Sequence, residues 1–219
     1  MVKCVSNVKT WMTSNKLQMN EDKTEVIWVT AKRVVNLQHL PEFMNINGTC
    51  VKFSPSARNL GVTLDSTLLL HQHVINFCRV AYLELRRINS IRNLLSIDAV
   101  KTLVCSLVLS RFDYCNSLLV GLPQYLIKRL QGVQNAAARS ILRTPRSEHI
   151  SPLLQNLHWL SVNRRTLYKV AVLCHTSLSG SGPQYLSDNF TRFTPLLVLC
   201  ALRQILLPSA LSMSTKFLW

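Results

Sequence analysis

Val74, Cys78, Ala81, Leu85 and Ile88 stand at spacings of four, three, four and three. That rhythm brings one apolar stripe to the same side every 3.6 residues and commits the stretch to a helix with one packed face. Leu126, Leu130, Val133, Ala137 and Ile141 do the same in a helix expected from Gln124 to about Thr144, stopped by Pro145. Between them Ser96 offers an N-cap with Asp98 in the first turn. The helix it starts, from Ile97 to about Val120, is apolar nearly all round and is expected to be central, with Gly121 and Pro123 ending it. A short helix follows Pro152. Val162 to Leu178 forms a last one, with Leu167, Val170, Ala171 and Cys174 inward and Arg164, Arg165 and Lys169 outside.

The front of the chain has a different grammar. Val5, Val8 and Met12 recur at helical spacing, so the first sixteen or so residues are expected to form an amphipathic helix with Trp11 beside the buried stripe. Glu25 to Thr30 is a β-branched and aromatic run that reads as a strand. Asn47-Gly48 tolerates the positive φ angles of a tight turn, and predicts a hairpin between Phe43–Ile46 and Cys50–Phe53. Arg58 to Leu64 is a further strand candidate. The expected fold is therefore mainly α with a small α+β amino-terminal part. It comprises residues 1–66 (helix plus short strands), 67–180 (helical) and 181–219, a linker at Ser179–Pro183 leading into a poorly ordered tail. No repeat at a period of about 20 to 50 residues is visible.

A chain of 219 residues that is 48% hydrophobic and only 16% charged has the means to bury a core. Its formal net charge of +15 makes it attractive to polyanions, nucleic acid first. A solvated basic surface, a ribosomal protein and a membrane-surface protein share that property. The charge is uneven: residues 111–219 carry 12 Lys+Arg against 3 Asp+Glu, whereas residues 1–110 carry 13 against 7. Seven cysteines without a CxxC pair and without a secretory signal point to a reducing, intracellular compartment, nucleus or cytoplasm. His71, His73 and Cys78 lie close in sequence, but no partner cluster completes a zinc site. The most apolar run, Pro195 to Pro208, is interrupted by Arg203 and is too short to span a bilayer, so no membrane partner is expected.

The chemistry on offer is sparse. Two-metal catalysis needs converging carboxylates. The only adjacent acidic pair is Glu21-Asp22, in a polar turn beside Lys23. Neither a G-x-S-x-G nucleophile elbow nor a phosphate-cradling G-K-[ST] loop occurs, and no small-molecule substrate is evident. His158, beside Trp159, is expected to be a packed or hydrogen-bonded core residue rather than a catalyst. The best-defined feature is a basic stripe: Lys128, Arg129, Arg139 and Arg143 fall within an arc of about 100° on the helix from Gln124. Such a stripe is either a solvated face or a set of nucleic-acid phosphate contacts.

Three phrases bear on that choice: Arg-Phe-Asp-Tyr-Cys-Asn-Ser-Leu-Leu-Val-Gly-Leu-Pro from Arg111 to Pro123, Val-Gln-Asn-Ala-Ala-Ala-Arg from Val133 to Arg139, and Leu-His-Trp-Leu from Leu157 to Leu160. Together they resemble the region downstream of the catalytic aspartates in LINE-type (non-LTR) retrotransposon reverse transcriptases, from about Val5 to Phe190. The resemblance implies the end of a palm followed by a helical thumb and carboxy-terminal region. In such enzymes the thumb tracks the template–primer duplex through its backbone, which would make Lys128, Arg129, Arg139 and Arg143 the contacts to RNA or RNA–DNA hybrid. Asn20 to Thr24 resembles the palm segment after the aspartates, making Lys23 the remnant of a lysine that approaches the leaving pyrophosphate. Arg58 to Val62 resembles the hairpin supporting the primer end, with Arg58 and Gly61 in that role. Ser161 departs from the pattern, which continues with proline. The chain has no Asp-Asp pair, so no RNA-directed DNA polymerase activity and no cofactor is expected of it; magnesium would belong to a full-length parent enzyme. A truncated polymerase fragment with residual nucleic-acid binding is the expectation. A non-functional retroelement relic, or a helical interaction module pairing with an intact polymerase, stands as the alternative.

Overall fold

The computed structural model describes residues 2–20, 23–29, 42–46, 49–188 and 190. It is mainly helical, and among the described residues the short strands are confined to the first third. The elements in chain order are α1 (Val2–Ser14), β1 (Val26–Ile27), β2 (Phe43–Ile46), β3 (Thr49–Ser54), β4 (Ser56–Asn59), β5 (Val62–Asp65), α2 (His71–Ile91), α3 (Ile97–Val104), α4 (Ser110–Asp113), α5 (Gln124–Leu142), α6 (Ile150–Asn156), α7 (Val162–Leu178) and α8 (Gln184–Ser187). They are drawn into two compact units: one from Met1–Tyr82 and Leu122–Arg129, the other from Leu83–Gly121 and the chain from Leu130 on. The Asn47-Gly48 turn, Glu21-Asp22 and the tail from residue 191 lie outside the described residues.

In the first unit β3 pairs parallel with β1 and antiparallel with β2, in the order β1-β3-β2. Trp28 stacks on Phe53, centroids 4.7 Å apart. The stretch read as one strand from Arg58 is instead a hairpin of β4 and β5, because Leu60 and Gly61 both take positive φ, 46° and 86°. This is the backbone of a two-residue turn matched to strand twist. Along α1 the expected stripe is only partly covered: Val5 and Met12 are half-buried, while Val8 and Trp11 are exposed. Asp65 organises the entry to α2. Its carboxylate accepts hydrogen bonds from the Thr67, Leu69 and His71 amides and the Thr67 hydroxyl, at 2.9 to 3.2 Å. The His71 amide is one of the first-turn donors that no intrahelical carbonyl reaches.

The seam residues Val74, Cys78, Ala81, Leu85 and Ile88 are all buried, as are Leu126, Leu130, Val133, Ala137 and Ile141. Full burial of a Leu or Val side chain contributes about 1.5–3 kcal/mol, which is why a stripe of five decides a helix's orientation. Two other expectations fail. The long helix after Ser96 does not continue to Val120: α3 gives way to a π-helical turn at Cys105–Leu109, and α4 ends at Asp113. Tyr114 is then extended and Cys115 takes φ 54°, before a 3-10 turn at Asn116–Leu119. On α7 the fully covered positions are Val162, Thr166 and Ser177, whereas Leu167, Val170, Ala171 and Cys174 are half-buried. Thr166 and Ser177 turn inward at little cost because each hydroxyl donates to a carbonyl of its own helix, Asn163 and Leu173. Ser96 caps α3 as expected, accepting from the Ala99 amide at 3.2 Å.

Candidate nucleic-acid interface

Lys128 and Arg129 lie in the first unit, on the opening turns of α5, two and three residues past the buried Leu126. Both are exposed, and among the described residues neither forms a salt bridge. Tyr125, 51% exposed, lies between them on the helix wheel at about 100° per residue. Its ring is 6.1 Å from that of His71, the exposed first residue of α2. Arg129 also acts on Cys78: burial raises the thiol's pKa, and the guanidinium offsets part of the rise.

Arg139 and Arg143 belong to the second unit and are occupied differently. Arg139 is half-buried, its guanidinium donating to the carbonyls of Pro145 at 3.4 Å and Glu148 at 3.0 Å. Arg143 lies beyond the last helical residue, at φ 53°, so the wheel does not place it. The Thr144 amide donates to the Arg139 carbonyl, five residues back, the bond that closes a helix through a left-handed residue. Arg143 itself reaches the Arg92 carbonyl and the Asn93 side chain, both at 3.4 Å. Sequence reasoning missed Arg92, which is 6% exposed. Its guanidinium donates to the carbonyls of Ser140, Ile141 and Leu95 at 2.8 to 3.3 Å, so a buried cation sits on the carbonyl end of α5. No spacing rule points to it, since its partners on α5, Ser140 and Ile141, lie nearly fifty residues away.

The resemblance phrases have structural tasks in this unit. Gln134, 1% exposed, donates to the Leu160 carbonyl at 2.8 Å, and Gln131 accepts from the Val162 amide at 2.9 Å. Gln131 therefore takes the first-turn amide of α7, and the Ser161 hydroxyl makes no capping bond. Asp113 pairs with Arg165 at 3.1 Å, so Arg165, expected outside, is pulled half under. His158 is not a core residue: it is exposed, at φ 56°, in the position that ends α6.

The palm-like residues are placed as follows. Lys23 is exposed in a turn held by its amide to Asn20 Oδ1, 3.1 Å. Arg58 is exposed on β4, its amide donating to Glu25, and Gly61 forms the β4–β5 turn. No group of three or more His, Cys, Asp or Glu among the described residues is placed to hold a metal. Asp65 spends its oxygens on the loop, and the His73 Nδ1 accepts from the Thr63 amide at 3.4 Å. The described residues thus do not fit the divalent pair of a polymerase centre. Burial raises the Cys105 thiol, only partly opposed by Lys101 and Arg165, and keeps it a weak nucleophile. Among the described residues no helix is long and apolar enough to cross a membrane. Comparison with protein-family models, with curated proteins and with solved structures found no match.

Proposed function

We propose that this chain is a nucleic-acid-binding module of reverse-transcriptase type, the end of a LINE-like palm with a thumb-like helical part, which holds RNA or RNA–DNA hybrid and does not itself polymerise. The observation that carries the reading is the pair of exposed cations at Lys128 and Arg129, without acidic partners among the described residues, on a chain with a net charge of +15. The phrases from Arg111, Val133 and Leu157 support the family part of it. The carboxylates a polymerase centre would need have no Asp-Asp pair to supply them.

Binding should be dominated by phosphate contacts and should weaken as salt rises, because each neutralised phosphate releases condensed counterions. The test is an anisotropy titration of the purified chain with RNA–DNA hybrid between about 50 and 200 mM salt. Lys128→Gln and Arg129→Gln should each flatten the slope of log affinity against log salt by about one unit, with little regard to sequence. An unchanged slope in the double variant would reduce the attraction to net charge and remove the interface. No detectable binding at low salt would remove the function.

A further inference from the structure

We infer that the opening of α5 is a platform for an unpaired nucleotide base, with Tyr125 and the neighbouring His71 ring as the stacking surface and Lys128 and Arg129 as its phosphate contacts. All four residues belong to the first unit. Tyr125, Lys128 and Arg129 stand at i, i+3 and i+4, so they share one helix face, and all three are exposed. The phenol lies between the two cations, and the tilted pair it makes with His71, at 53° between ring planes, widens the aromatic surface without closing its outer side. A duplex offers phosphates to such a face but keeps its bases stacked inside. An aromatic ring set between two phosphate-seeking cations matches a strand whose bases are free to leave the stack. The inference rests on the phosphate-binding reading of Lys128 and Arg129 and adds the ligand class: single-stranded RNA or DNA.

The experiment compares the full chain's affinity for an unstructured oligonucleotide with that for an abasic oligonucleotide of the same length, which keeps the phosphates and lacks the bases. Tyr125→Ala should weaken binding of the base-bearing strand about tenfold, in the range of one lost stacking contact, and leave the abasic strand's affinity unchanged. Tyr125→Phe should bind as the parent does, and His71→Ala should show a smaller loss with the same selectivity. Lys128→Gln should weaken both ligands alike. Equal losses on the two ligands for Tyr125→Ala, or none on either, would overturn the platform and leave the phosphate reading standing. If neither ligand binds the parent chain, both readings fall. Agreement between Tyr125→Ala and His71→Ala guards against a folding artefact in either, and a failure of His71→Ala to share the selectivity removes His71 from the platform. Running ribo- and deoxyribo-oligonucleotides side by side separates RNA from DNA: equal affinity is expected of stacking, and a preference confined to RNA would overturn the stacking basis in favour of 2′-hydroxyl recognition.

Discussion

Arg143 and His158 both end helices in the left-handed region that glycine enters without penalty, at φ 53° and 56°. For an L side chain that backbone costs about 1 kcal/mol. Arg143 offsets the cost with its bonds to Arg92 and Asn93, whereas His158 is exposed and makes no side-chain hydrogen bond among the described residues. His158→Gly is therefore expected to stabilise the chain by about 0.5–1 kcal/mol, and Arg143→Gly to destabilise it. Denaturant midpoints of the two variants check this; a loss of stability in His158→Gly would show that the imidazole has a role the geometry does not reveal. Two other residues tie stability to pH. At Asp65, burial favours the neutral acid, but bonds from Thr67, His71 and Leu69 outweigh it and hold the pKa below the ordinary 3.8. Burial alone lowers His73 below 6.5, in keeping with its Nδ1 accepting from Thr63. In both cases the unfolded chain binds protons first. The His73 contribution is thus complete above about 6.5 and lost as pH falls through its folded value, and that of Asp65 is lost below about 3.8. His73→Gln should flatten the fall in denaturant midpoint between about pH 7 and 5.

Among the elements, α5 shows most plainly what a sequence discloses. Its buried face follows from the spacing of Leu126, Leu130, Val133, Ala137 and Ile141, because an apolar period of 3.6 is a local property of the chain. Its ending was legible only roughly, from Pro145. The residue that secures that ending was not legible at all, since Arg92 reaches Ser140 and Ile141 through tertiary structure. The break after α3 escaped for a related reason. Cys105 to Asn116 contains neither proline nor glycine, and the departure there through a π turn and a left-handed Cys115 is set by packing, with Asp113 held by Arg165 and Asn116 buried. On α7, hydropathy misjudged Thr166 and Ser177 because it counts a hydroxyl as polar even when its own helix satisfies it. The candidate interface divides along the same line: Lys128 and Arg129 are exposed as the wheel implies, while Arg139 and Arg143 are bound to carbonyls that no wheel contains. Arg92→Met should cost about 2–4 kcal/mol, because it leaves the carbonyls of Ser140 and Ile141 without their charged donor. Arg92→Lys should recover only part, one ammonium being unable to serve the two carbonyls as a planar fork does. Urea midpoints of the two variants test this, and a lysine variant as stable as the parent would show that charge alone secures the helix end.

For the molecule as a whole, a charge of +15 predicts attraction to any polyanion, so the informative quantity is where charge removal is felt. Two pairs of equal formal charge provide the comparison. Lys128 and Arg129 are exposed and make no side-chain hydrogen bond among the described residues, whereas Arg139 and Arg143 donate to Pro145, Glu148, Arg92 and Asn93. Neutralising the first pair to Gln should lower hybrid affinity and the salt slope while leaving the denaturant midpoint within about 0.5 kcal/mol of the parent, as is usual for surface substitutions. Neutralising the second pair should do the reverse, lowering stability by about 1–3 kcal/mol through lost charge-assisted bonds and moving the salt slope less. Long-range attraction treats the two pairs alike, since both doubly neutralised chains carry the same net charge. Equal losses of affinity, with equal slopes, would therefore mean that the basic surface acts only through its total charge, and the interface at Lys128 and Arg129 would have to be given up.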